Sequence, residues 1–177
     1  MKTIKFFALL CLITMPFAIT SCSSDDDGGG GGGSAALNTI KAKVDGNWVT
    51  TLEMVTFANQ VGSMLAIQGN TGGTSSEAFV LNVIAYDGVG TYDIGGGSTG
   101  LGQANASYTE IQVDPSNPMD FQQTIWSAPY EGGEKVGEIN VSEVTDDYIK
   151  GTFHFTAKNP DNGSTVNITE GSFNIEF

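Results

Sequence analysis

Ile149-Lys150-Gly151-Thr152-Phe153-His154-Phe155-Thr156-Ala157 alternates apolar and polar residues. Ile149, Phe153, Phe155 and Ala157 share one side and Lys150, Thr152, His154 and Thr156 the other, which is the period of a strand with one face in a core and one in water. Asn159-Pro160-Asp161-Asn162-Gly163 is a turn cluster that should close a hairpin onto residues 164–169, and Asp146-Asp147 should lead back to a strand around Ile139 and Val141. Nearer the C-terminus the parity changes. Val166 and Ile168 are even, whereas Phe173, Ile175 and Phe177 are odd, so Glu170-Gly171 must reset the phase by a bulge with glycine in the left-handed region or by a tight turn. Phe153, Phe155, Phe173 and Ile175 are expected in the core, with His154 and Asn174 outside it.

The same signature recurs upstream. Asp45-Gly46-Asn47 is a hairpin turn between residues 41–44 and a strand starting at Trp48, and further strands are expected at 63–68, 78–85, 106–113 and 124–130. No stretch from Leu37 onward carries a convincing helical stripe, although Leu52, Val55 and Ala58 within 51–60 would also suit a turn or two of helix. The expectation is an all-β domain over residues 37–177, with about nine or ten short antiparallel strands forming either a sandwich or a barrel.

The N-terminus carries an address. Lys2 and Lys5 precede an apolar run from Phe6 to Ile19, too short for a permanent span, and residues 1–21 read as a signal peptide. Ile19-Thr20-Ser21-Cys22 resembles a bacterial lipobox, which implies lipidation of Cys22 and a membrane partner through that lipid. The other cysteine, Cys11, lies in the leader, so the mature chain has no thiol to pair. Residues 22–36, rich in Ser, Asp and Gly, read as a flexible tether of roughly 20 Å between ends. Ser24-Asp25-Asp26-Asp27 resembles the export signal of Bacteroidota surface lipoproteins, the alternative being a solvated acidic linker in a periplasm-facing protein.

Charge narrows the partners. From Leu37 there are 17 acidic residues against five lysines, and the chain has no arginine, which argues against nucleic acid and against a basic face on anionic lipid. Gly95-Gly96-Gly97-Ser98-Thr99-Gly100 matches G-x-G-x-x-G literally, but a dinucleotide site needs a helix to open after it, and another strand is expected there. His154 is the only histidine, with no partner for a zinc site and no nucleophile-elbow context for a triad. Glu131, Glu134, Asp146, Asp147 and Asp161 lie in turn-like stretches, and Asp146-Asp147 and Asp161-Asn162 lack the alternating order of a calcium loop. No cofactor, metal or catalytic residue is expected.

Aromatic residues are the remaining route to function. Trp126 and Tyr130 share parity with Thr124 and Ala128, so they either form a solvent-facing platform for a sugar or belong to the core; Tyr108 is the third candidate, and Trp48 is expected in the core. Asp45-Gly46-Asn47-Trp48, Gly90-Thr91-Tyr92, residues 137–141, and residues 151–157 with 166–173 resemble a family of uncharacterised Bacteroidota lipoproteins. The resemblance implies a lipid-anchored β domain at the outer membrane or cell surface and brings no catalytic residue. The expected role is a non-enzymatic binding or accessory module with a glycan or an envelope protein as partner, or else a structural or protein-interaction module, with a hydrolase less favoured. The two leading readings make different demands: a glycan binder should turn an aromatic pair to solvent near Trp126, whereas an interaction module would bury it and expose an unpaired edge strand.

Overall fold

The structure, a computed structural model, describes residues 33–97, 102–131 and 133–177, with Pro118 described in its backbone only. The leader, Cys22, the acidic triplet and most of the tether lie outside these residues. Ala35, placed in the tether by sequence, is buried and donates its backbone N–H to Ser172 Oγ at 3.0 Å.

Among the described residues eleven strands form, all paired antiparallel, in one hydrogen-bonded sheet. They are β1 (Thr39–Val44), β2 (Asn47–Thr50), β3 (Phe57–Val61), β4 (Met64–Asn70), β5 (Ser75–Val83), β6 (Gly90–Ile94), β7 (Ala104–Asp114), β8 (Asn117–Ala128), β9 (Gly137–Val144), β10 (Tyr148–Lys158) and β11 (Thr165–Glu176). One arm runs β2-β1-β11-β10-β9-β6 and the other β8-β7-β5-β4-β3; they join where Lys158 of β10 pairs with Ser127 of β8. Both arms bury side chains in one shared core, so the sheet must fold over on itself, with Phe79 of β5 meeting Phe153 of β10 at a ring separation of 6.1 Å.

The decisive strand behaves as its alternation demands. Ile149, Phe153, Phe155 and Ala157 are buried while Thr152 and His154 are exposed. Gly151 falls on the core side, and its missing side chain is the space that Phe173 fills: a Cβ there would lie 2.3 Å from the Phe173 ring. Phe173 and Ile175 are buried, and Asn174 is half-buried.

The parity reset is a bulge within a continuous β11, not a break. Opposite β10 the register moves from Phe153↔Gly171 to Phe155↔Ile168, two residues against one. The left-handed residue is Glu170 (φ 50°) rather than Gly171, a correction to the expected geometry. Lys43 holds the Glu170 carboxylate at 2.7 Å, whereas Gly171 is required for space, since a Cβ would sit 2.6 Å from the Phe153 carbonyl oxygen.

Three other details differ from expectation. Residues 51–60 split into a 3-10 turn, Glu53–Val55, and the edge strand β3; the Thr51 and Thr56 hydroxyls meet at 2.7 Å and Thr51 Oγ1 accepts the Ile40 N–H, which pins the turn. β6 was not expected as a strand. It is short, and its Tyr92 hydroxyl donates to the Gly88 carbonyl at 2.7 Å with Asp87 Oδ1 2.9 Å away, folding the preceding loop onto it. Trp48 is not a core residue. It pairs with Lys43 on the outer side of β1, with the Lys41 and Lys43 ammonium groups 4.5 and 5.0 Å from its ring centre, because Val49 pairs with Ala42 and takes the core position.

Three buried tyrosines set an alkaline limit. Burial raises the hydroxyl pKa of Tyr86, Tyr92 and Tyr108 above the ordinary value, and beside Tyr108 the hydrogen bond to Glu77 adds to it. The unfolded chain releases these protons first, so their contribution to stability is fully present below about pH 10 and is lost as pH rises above it. Urea midpoints should be flat from pH 7 to pH 9 and fall steeply above pH 10; a flat profile to pH 12 would contradict the burial of these hydroxyls.

Candidate functional site

The sequence-predicted aromatics lie around the seam where β8 meets β10, but they do not form one platform. Tyr108 is fully buried, so it presents no ring face to a ligand; its hydroxyl donates to Glu77 at 2.5 Å and lies 3.2 Å from a Glu110 oxygen. Trp126 is half-buried, packed against the core with its ring 5.7 Å from that of Tyr108, and its Nε1–H donates to Ser164 Oγ at 3.0 Å. Tyr130 lies beyond the end of β8. It is half-buried and lines a cleft of about 300 Å³ with Ser127, Pro129, Glu131, Lys158 and Pro160, the Lys158 ammonium 5.9 Å from its ring centre. The Asn159 side chain fixes this corner: its Oδ1 accepts the Asp161 and Asn162 backbone N–H groups while its Nδ2 donates to the Ile125 carbonyl at 3.1 Å.

That last bond shows how β8 is oriented. The Ile125 carbonyl points away from β7, as does the Ser127 backbone that pairs with Lys158, so in an antiparallel strand the backbone groups of Phe121 and Gln123 point the same way. Among the described residues no strand pairs with this side of β8 between Asn117 and Trp126. The edge is long compared with those of β2, β3 and β6, which have four or five residues each.

The hairpin β7–β8 also inverts its polarity. The buried residues of β7 are Ala104, Ala106 and Tyr108 on one face and Thr109 on the other, and its next apolar residues, Ile111 and Val113, share the parity of Thr109 although the register with β8 is continuous from Ala106 to Val113. Val113 pairs with Phe121 and Thr109 with Ile125, so Ile111, Val113, Phe121 and Ile125 share the outer face. Phe121 and Ile125 are 58% and 41% exposed. The inner face beyond Tyr108 is polar, carrying Glu77, Glu110, Gln112, Gln122 and Thr124. At the tip, the Ser116 hydroxyl and then its backbone N–H bind Asp114, holding its carboxyl below the ordinary range and keeping it ionised. Periodicity could have found this face: Ile111, Val113, Phe121 and Ile125 are all odd, in strands whose buried apolar positions are even.

The remaining candidates are scattered. His154 is exposed in a shallow groove with Glu138, Asn140 and Thr152. Gly95, Gly96 and Gly97 have φ of 76°, 78° and 73°, and the next described element is β7; Ser98 to Leu101 lie outside the described residues. Among the described residues no three His, Cys, Asp or Glu side chains come together as metal ligands, and no helix is long and apolar enough to cross a membrane.

These features define a small all-β domain with one long open edge. The chain belongs to the DUF6252 family, a domain of unknown function, which matches residues 37–175. No curated protein and no solved structure matches the chain.

Proposed function

We propose that this protein is a lipid-anchored, non-enzymatic protein-interaction module of the outer membrane, exposed at the cell surface through its acidic tether. The observation that carries this reading is the open edge of β8 with its outward apolar face. Natural sheets normally shorten, charge or cover such edges, and an uncovered one is a template for another strand. Trp126 supports the same reading, since its ring is engaged with Tyr108 and its N–H with Ser164.

A second reading, glycan binding, is favoured by the Tyr130 cleft, where a half-exposed ring sits beside Lys158 and Glu131 as hydrogen-bonding groups. Site-specific photo-crosslinking on intact cells separates the two. A crosslinker at Phe121 should yield a discrete protein adduct, and one at Tyr130 should not. Adduct-free Phe121 together with glycan binding that Tyr130→Ala abolishes would replace the interaction reading with the carbohydrate one.

A further inference from the structure

We infer that the β8 edge takes an extended segment whose side chains are apolar on one side and basic on the other; this rests on the interaction reading above and names its partner's chemistry. Backbone pairing is available at Phe121, Gln123 and the Ile125 N–H, and is closed off at the base where Asn159 occupies the Ile125 carbonyl. Alternate side chains of an incoming strand would lie on the two faces of the hairpin. On the outer side they would meet Phe121 and Ile125, which continue across β7 as Val113, Thr109 and Ile111. On the inner side they would lie beside Gln122 and Thr124, two strand spacings or about 10 Å from the Glu110 row, within reach of an extended lysine or arginine.

Charge selects that inner side. Between residues 44 and 134 the chain has ten carboxylates and no lysine, arginine or histidine, so the arm that carries β8 contains no cation. Glu77 and Glu110 flank the Tyr108 hydroxyl, and Asp114 and Asp120 lie at the tip. A second copy of this chain would bring the same negative charge to the seam, which disfavours symmetric edge-to-edge pairing. The chain's own stretch after Cys22, composed of Ser, Asp and Gly, supplies neither the apolar side chains nor the cations.

The test uses the mature chain with Cys22→Ala and three synthetic peptides of about eight residues, a usual strand length. They alternate apolar residues with lysine, with threonine or with glutamate. The lysine peptide should bind at least about tenfold tighter than the threonine peptide, the glutamate peptide weakest, with the preference shrinking in high salt. Gln123→Pro removes an outward donor while leaving β7 pairing in place, and should abolish binding without unfolding the domain; Phe121→Glu provides an independent block should the proline variant melt early. Equal binding of all three peptides, lost in both variants, would overturn the basic-partner inference while leaving the interaction reading standing. Binding insensitive to both variants would put the site elsewhere and overturn it. Concentration-dependent dimers abolished by Gln123→Pro would make a second copy the occupant, again overturning it. No binding by any peptide to the folded protein overturns it as well, and the crosslink from Phe121 then decides the interaction reading separately.

Discussion

Phe153→Ala should lower the thermal midpoint on the order of 10 °C or more, whereas His154→Ala, one residue away, should barely move it. Phe153 is buried and its ring lies 6.1, 6.2 and 6.5 Å from those of Phe79, Phe155 and Phe173, so it joins the two arms of the sheet. Truncating such a residue costs about 3 to 5 kcal/mol, because the cavity is bounded by rings that cannot collapse into it. Total stability of a domain this size is about 5 to 15 kcal/mol, so the loss is a large share. His154 points to solvent on the same strand and loses little. A larger effect at His154 than at Phe153 would mean that β10 is inverted.

Cys22→Ala should move the protein from the membrane fraction to the soluble one and remove the lipid mass from the mature N-terminus. Burial of acyl methylenes at about 0.8 kcal/mol each is the whole anchoring force in this account, and two or more chains are needed for stable attachment. A variant that still sediments with membranes, with an unchanged N-terminal mass, would show that Ile19-Thr20-Ser21-Cys22 is not a lipidation signal. Replacing Asp25, Asp26 and Asp27 together with alanine should leave the protein anchored but shielded from protease added to intact cells. Unchanged accessibility would reduce the acidic run to a spacer.

Alternation made most of the fold legible. Wherever a strand has one dry and one wet face, a one-residue slip exposes its whole apolar set, so parity alone placed Phe153, Phe155, Phe173 and Ile175 in the core and located the reset at Glu170-Gly171. Parity does not say which neighbour a strand pairs with. The pairing of β1 with β11, of β5 with β7 past β6, and of β6 with β9 depends on long-range packing that no local pattern encodes. β6 escaped notice because it has five residues and only Tyr92 and Ile94 buried.

The candidate site was harder to read for a different reason. Trp126 and Tyr130 share parity, but β8 ends at Ala128, so the two aromatics do not belong to one face. Trp48 illustrates the converse: its size suggested the core, while the alternation of Ile40, Ala42 and Val44 already committed the position opposite Lys43 to the outside. The apolar outer face of β7–β8 lay in the same periodicity, visible only when the parity of Ile111 and Val113 is compared with that of Ala106 and Tyr108.

The most direct test of an open, strand-accepting β8 is residue-resolved amide hydrogen exchange of the mature chain with Cys22→Ala, alone and with the lysine-containing peptide. In the free monomer the Phe121, Gln123 and Ile125 amides should exchange fast while the β7-facing amides of Gln122 and Thr124 are protected, and the peptide should slow the first set selectively. Strong protection of Phe121, Gln123 and Ile125 in the free monomer would show that the edge is already covered and would contradict the account.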